Sequence, residues 1–241
     1  MRNKFLFISF LLAGILYTPN VFAANVYWFG GTGNWNDPTN HWSNNSGNSP
    51  VSLHGAAPGA DDNCIFDSLS SSTAYTVTIN AVATCVDYTV GLPLVGVATI
   101  AGTSGVTING NYTLATGTIY SHHGVTTFAS STGTALITTN GVRIARNFTI
   151  NGAGRTFQLQ DNLTFWLGNR TISLTAGTFD PQTYTVTILP GNVGPQIITG
   201  AWSFYGLTLN SSSTLSNEIQ LTNNITVTNR LTLAGSNNTT K

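Results

Sequence analysis

Tyr75-Thr76-Val77-Thr78-Ile79 recurs letter for letter at Tyr184-Thr185-Val186-Thr187-Ile188. Successive side chains of a strand point to opposite faces, so Tyr, Val and Ile fall on one side and the two threonines on the other. That is the pattern of a half-buried strand. Shorter relatives follow at Val106-Thr107-Ile108, Tyr112-Thr113-Leu114, Phe148-Thr149-Ile150, Leu163-Thr164-Phe165, Ile225-Thr226-Val227 and Leu231-Thr232-Leu233. Gly, Asn and Ser separate them, no helical run intervenes, and Thr supplies 38 of 241 residues, so the chain reads as all-β from Ala74 onward.

Internal repetition sharpens this reading. Residues 106–115 match residues 225–234 at an offset of 119, and residues 172–178 echo residues 112–118 at an offset of 60. An interval near 60, and twice that, predicts a β-solenoid with coils of about 20 residues, roughly eight of them over residues 74–241. An antiparallel β-sandwich would use many of the same strands, joined by hairpins such as Asn109-Gly110 and Asn140-Gly141. The repeat favours the solenoid.

The first 23 residues carry Arg2 and Lys4, an apolar run from Phe5 to Tyr17, and Val21-Phe22-Ala23. This is the order of a secretory signal peptide cleaved after Ala23, and it predicts a secreted or surface-displayed protein. The run is short for a membrane span, and no later stretch reaches the required roughly 20 residues. Removing the leader leaves six basic and eight acidic side chains, a net charge of −2. Residues 24–142 contain no Lys or Arg, which argues against tracking a nucleic-acid backbone. In an exported chain Cys64 and Cys85 are expected to pair, closing a loop of about 22 residues.

Residues 24–73 precede the strand repeats and read as an N-terminal cap and loop. Trp28, Trp35 and Trp42 stand seven apart in Tyr27-Trp-Phe-Gly-Gly-Thr-Gly-Asn-Trp-Asn-Asp-Pro-Thr-Asn-His-Trp42, but Gly30, Gly31, Gly33 and Pro38 break any long helix there. Two readings fit. The three rings form an aromatic cluster over the end of the core, or they form a sugar-stacking platform with Asp37, Asn36 and Asn40 supplying hydrogen bonds. Downstream, Asp61, Asp62 and Asp67, with Asp37, offer oxygen ligands to Ca²⁺, although no EF-hand or nonapeptide pattern accompanies them, and solvated loop acids are the simpler reading.

The order of these pieces, a W-x-G-G-x-G-x-W segment, an acidic short strand at 61–67 and then Thr-rich strands, resembles bacterial cell-surface β-helix proteins of the adhesin and autotransporter-passenger kind. The resemblance implies a right-handed parallel β-helix with an N-terminal cap, displayed outside the cell. The chain departs from an autotransporter in ending at Gly235-Ser-Asn-Asn-Thr-Thr-Lys241 without a β-barrel translocator. The expectation is therefore a fragment of a larger surface protein or a small secreted solenoid, with glycans or neighbouring surface-protein subunits as partners.

Two other function classes are to be weighed. A polysaccharide lyase or hydrolase needs paired carboxylates or a carboxylate-held cation; Asp161 with Asp180, near Arg170, is the best pair, and His122-His123 a second centre whose adjacent side chains face opposite ways. An ice-binding surface needs Thr76 and Thr78, Thr185 and Thr187, and Thr226 and Thr228 to align on one flat face. Neither a GxSxG elbow nor a cofactor motif occurs. The expected function is a non-catalytic one, structural or adhesin-like, without a cofactor.

Overall fold

Short strands with inward apolar residues cannot bury that face alone, and here they do so by winding around one another. The computed structural model describes residues 23–47, 52–190, 194–211 and 218–235; the expected signal peptide, residues 1–23, lies outside them apart from Ala23. The chain forms a β-solenoid of about seven turns with mostly parallel strands. The first full turn shows the plan: Tyr75–Ile79 lies on one face, Ala83–Cys85 on a second and Tyr88–Val90 on a third. Each has Tyr, Ala, Val, Ile or Cys inward and threonines outward.

The second face is the most regular. Ala83, Val106, Thr126, Phe148, Ile172 and Ile198 pair in parallel from one turn to the next, and the strand Ile219–Leu221 adds a seventh rung. Six inter-strand steps make this face about 30 Å long. On the third face Val26, Cys64, Tyr88 and Tyr112 pair in succession and lead into Ile137 and Leu159. The long strands Phe148–Leu159 and Thr171–Asp180 bend around the corner from the second face to the third, with a register irregularity between Ile150 and Thr156. Parallel pairing throughout the coils excludes the sandwich, whose hairpins would require antiparallel neighbours.

Two expectations about the repeat need correction. The coil is 20 to 26 residues long, from the Val106–Thr126 step to the Ile172–Ile198 step, and not a uniform 20. The offsets of 60 and 119 do not relate equivalent rungs: Tyr112 stands on the third face and Ile172 on the second, and the strand Thr226–Gly235 belongs to the first face while Val106–Ile108 belongs to the second. All three faces demand the same apolar-Thr-apolar triplet, so segments from different faces look alike.

Corner residues leave the ladder, and asparagine and aspartate side chains supply the acceptors their N–H groups need. Asn63 accepts from Asp87 N–H at 3.1 Å, Asp87 from Asn111 N–H at 2.6 Å, and Asn111 from Leu136 N–H at 2.9 Å. The interior carries a column of rings running from Phe66 through Tyr88, Tyr112, Phe128 and Phe148 to Phe165, with successive centroids 4.8–5.7 Å apart.

The N-terminal cap closes one end of this column. Trp28, Trp35 and Trp42 are buried, and Trp42 meets both other indoles edge-on at 5.1 and 4.8 Å. Trp28 stacks on His41 at 4.5 Å, and the two indole N–H groups of Trp28 and Trp42 donate to the Gly31 and Trp35 carbonyls, each at 2.7 Å. The glycines of the motif acquire a reason here. A Cβ on Gly33 would sit 1.8 Å from the His41 ring, and Gly30 and Gly31 turn through φ of +75° and +77°.

Candidate functional site

The first face is interrupted. Gly33–Asn34, Tyr75–Ile79, Ala98–Gly102 and Ile119–Tyr120 form one four-stranded sheet, and Leu163–Leu167, Thr185–Pro190, Ser203–Ser211 and Thr226–Gly235 form another. Between them residues 139–146 are a turn whose contribution to the lower sheet is a single bridge, Ile144 to Phe165. That turn is the next coil down from residues 114–123. Asn140 Nδ2 donates to the Leu114 carbonyl at 2.7 Å, and Arg146 Nη2 donates to His123 Nε2 at 2.7 Å.

Where the ladder lapses, a cleft of about 520 Å³ opens. Ile119 and Trp166 give it apolar walls, Thr118, His123 and Asn140 give it polar groups, and Arg143 and Arg146 give it charge. Trp166 is 48 % exposed, because it takes an outward position in Leu163–Leu167 while Leu163 and Phe165 fill the core. Thr118 Oγ1 and Arg146 Nε are buried with no hydrogen-bond partner in the protein.

The cleft is electropositive. Desolvation, with Arg146 and Arg170 close by, lowers the pKa of His123 and keeps its Nε2 an acceptor for Arg146. Desolvation and then Arg170 lower Arg146 as well. Among the described residues the one ion pair is His54–Asp62 at 3.6 Å, so no carboxylate neutralises these arginines. Asp161 approaches this corner, but its two oxygens are taken by the Thr139 N–H and hydroxyl at 2.9 and 3.1 Å.

His122 turns the other way from His123, into the interior. It is buried, with Nε2–H donating to the Ser104 carbonyl at 2.6 Å, and burial pushes its pKa below the ordinary histidine value. As pH falls through the ordinary histidine value of about 6.5, the unfolded chain takes up a proton at this position and the folded chain resists it. Stability should therefore decline below about pH 6.5, in a window above that of the carboxylates. Thermal melts of the His122→Gln variant should show a weaker pH dependence between pH 7 and pH 5 than the parent; an unchanged slope would mean that other groups set it.

Comparison with protein families, characterised proteins and solved structures finds no match. The site is thus read from its own geometry.

The other candidates that the amino-acid order singles out resolve differently, and each for a physical reason. The tryptophan platform is corrected: Trp28, Trp35 and Trp42 are at most 1 % exposed and present no face to a sugar. Asp37 is on the surface, but its carboxylate accepts from Asn40 and Thr39, whose hydrogen bonds hold its pKa below the usual range. The Ca²⁺ candidates Asp61, Asp62 and Asp67 do not converge, and no cluster of three ligating side chains occurs among the described residues. Asp62 turns to His54 and the Gly59 N–H, and Asp67 to Ser46, Ser70 and the Leu69 N–H.

Asp180 accepts from Gln158 and Gln182, and although desolvation opposes it these hydrogen bonds keep its pKa lowered, the opposite of what a general acid needs. The threonine array is corrected too. Thr78 pairs with Ala101, Thr185 with Gly206 and Thr226 with Ser203, so the Thr-x-Thr pairs do not stack into a two-wide surface. Hydroxyls instead run in single file along the second face through Thr84, Thr107, Thr127, Thr149, Ser173 and Thr199, since a three-residue strand has one outward position.

Of the cleft residues only His123 is among those candidates, yet signals for the others exist. Trp166 falls on the threonine side of the alternation in Leu163-Thr-Phe-Trp-Leu167, and the first basic residues after Lys4 are Arg143 and Arg146.

Proposed function

We propose that this protein is an exported, secreted or surface-displayed β-solenoid of the adhesin kind that binds a glycan in the cleft on its first face. The observation that carries the reading is Trp166, 48 % exposed at the wall of a 520 Å³ cleft that also holds hydrogen-bonding and charged groups. An exposed indole offers a flat apolar face to the C–H face of a sugar ring, and convergent polar groups fix the ring's hydroxyls. The signal-peptide pattern and the resemblance of the Trp-rich segment to surface β-helix proteins support the same setting. The rigid stack of coils supplies what a binding surface on an irregular turn needs, a frame that orders residues 139–146 before the ligand arrives.

The test is a glycan array probed with the mature chain, followed by titration of the best oligosaccharide against the parent and Trp166→Ala. Loss of the stacking ring should weaken binding at least about tenfold while the melting temperature stays nearly constant, because the side chain is on the surface. A mature chain that binds no glycan would overturn the reading. Turnover of the bound sugar would replace it with an enzymatic one and direct attention to Asp161 and Asp180.

A further inference from the structure

We infer that the glycan this cleft selects is acidic, with a carboxylate or sulfate seated on the guanidinium of Arg146. The inference rests on the reading of the cleft as a glycan site and adds the chemistry of its ligand. Arg146 enters the cleft with its geometry already fixed, since Nη2 is committed to His123 at 2.7 Å. Its Nε is buried without a partner in the protein, so a residue that lines the cleft carries a donor that cannot be deprotonated and is left unanswered. A guanidinium edge presents parallel N–H groups that match the two oxygens of a carboxylate or sulfate.

The surroundings favour an anion further. Arg143 lines the same cleft, Arg170 is near enough to depress both His123 and Arg146, and Asp161, turned to Thr139, forms no ion pair with any of them. Three like charges gathered without a counter-ion repel one another, and a bound anion relieves that repulsion. Beside the charge, the buried and unpartnered Thr118 hydroxyl offers a hydrogen bond to a sugar hydroxyl, and Trp166 stacks on the ring. A nucleic acid fits less well: the mature chain is net acidic, and residues 24–142 carry no Lys or Arg to continue a phosphate track beyond the cleft.

The experiment measures binding of the mature chain to four probes: oligogalacturonate for a carboxylated glycan, chondroitin sulfate oligosaccharide for a sulfated one, cellohexaose for a neutral one, and a thymidine oligonucleotide. One or both acidic glycans should bind at least about tenfold more tightly than cellohexaose. Arg146→Gln should lower the affinity for the acidic glycan about 10- to 100-fold, a loss at least about tenfold larger than any it causes for cellohexaose, and Arg146→Lys should fall between parent and Arg146→Gln, since it keeps the charge and loses the fork. Arg143 is exposed, so Arg143→Gln tests the charge without touching the fold and should also weaken the acidic ligand selectively.

Equal binding of acidic and neutral glycans, with Trp166→Ala still disruptive, would overturn the acidic inference and leave the glycan site standing. Absence of binding to all three glycans would sink both. Tighter binding of the oligonucleotide than of any glycan would overturn the inference in favour of a phosphate ligand.

Discussion

Trp35→Ala is expected to destabilise the fold by about 3–5 kcal/mol, the range for truncating a large buried aromatic side chain. Trp35 is 1 % exposed and lies where the cap meets the ring column, edge-on to Trp42 at 4.8 Å and stacked with Tyr88 at 6.5 Å. Its backbone is equally committed: the N–H donates to the Thr78 carbonyl at 2.8 Å, and its carbonyl accepts the Trp42 indole at 2.7 Å. The surrounding segment cannot collapse into the cavity cheaply, because Gly30 and Gly31 fix the turn and Gly33 is pressed against His41. For a chain of this size the loss corresponds to a fall in melting temperature of roughly 6–20 °C. Calorimetry gives the shift, and glycan binding by the folded variant at low temperature should be retained. An unchanged melting temperature with binding lost would return the tryptophans to the role of a sugar platform.

The second large effect belongs to the disulfide between Cys64 and Cys85. Cys64 is in Asp62–Phe66 on the third face and Cys85 in Ala83–Cys85 on the second, so the bridge spans the interior of the first turn and ties the cap's strand to the coils. Both residues are fully buried. With 21 residues of sequence separation, the chain-entropy model assigns the bond about 3 kcal/mol. The double variant Cys64→Ala/Cys85→Ala should therefore melt roughly 6–12 °C lower than the oxidised parent. Because the cap covers the open strand edges of the first turn, its loosening should also increase self-association. A shift under about 1 °C, or recovery of both residues as free thiols in non-reducing peptide maps, would show that the bond contributes nothing in solution.

What the amino-acid order alone determined is the local rule. Tyr75-Thr-Val-Thr-Ile79 and its relatives specify strands with one apolar face, the asparagines and glycines between them specify corners, and two cysteines that follow a signal-peptide pattern point to the bridge. The strands and corners are properties of period two and of backbone freedom, and each is decided within a few residues. The W-x-G-G-x-G-x-W segment was legible as a cap because its glycines preclude a long helix and its rings require burial. Its exclusion of a sugar was not legible, since the spacing of Trp28, Trp35 and Trp42 is the same whether their faces are covered or open.

Tertiary structure decided everything that depends on which coil lies beside which. The coil length drifts because corners, unlike strands, tolerate extra residues, and the chain alone does not say where a corner absorbs them. For the same reason the similarity between residues 106–115 and 225–234 joins different faces: packing asks the same triplet of each. The cleft exists because one coil, residues 139–146, fails to continue the first-face ladder, bringing His123 to Arg146 across 23 residues of chain and Trp166 to the lining of the same cleft. Its positive charge arises from arginines that form no ion pair with an acid among the described residues, a property of neighbours in space, and no count of charges along the chain contains it.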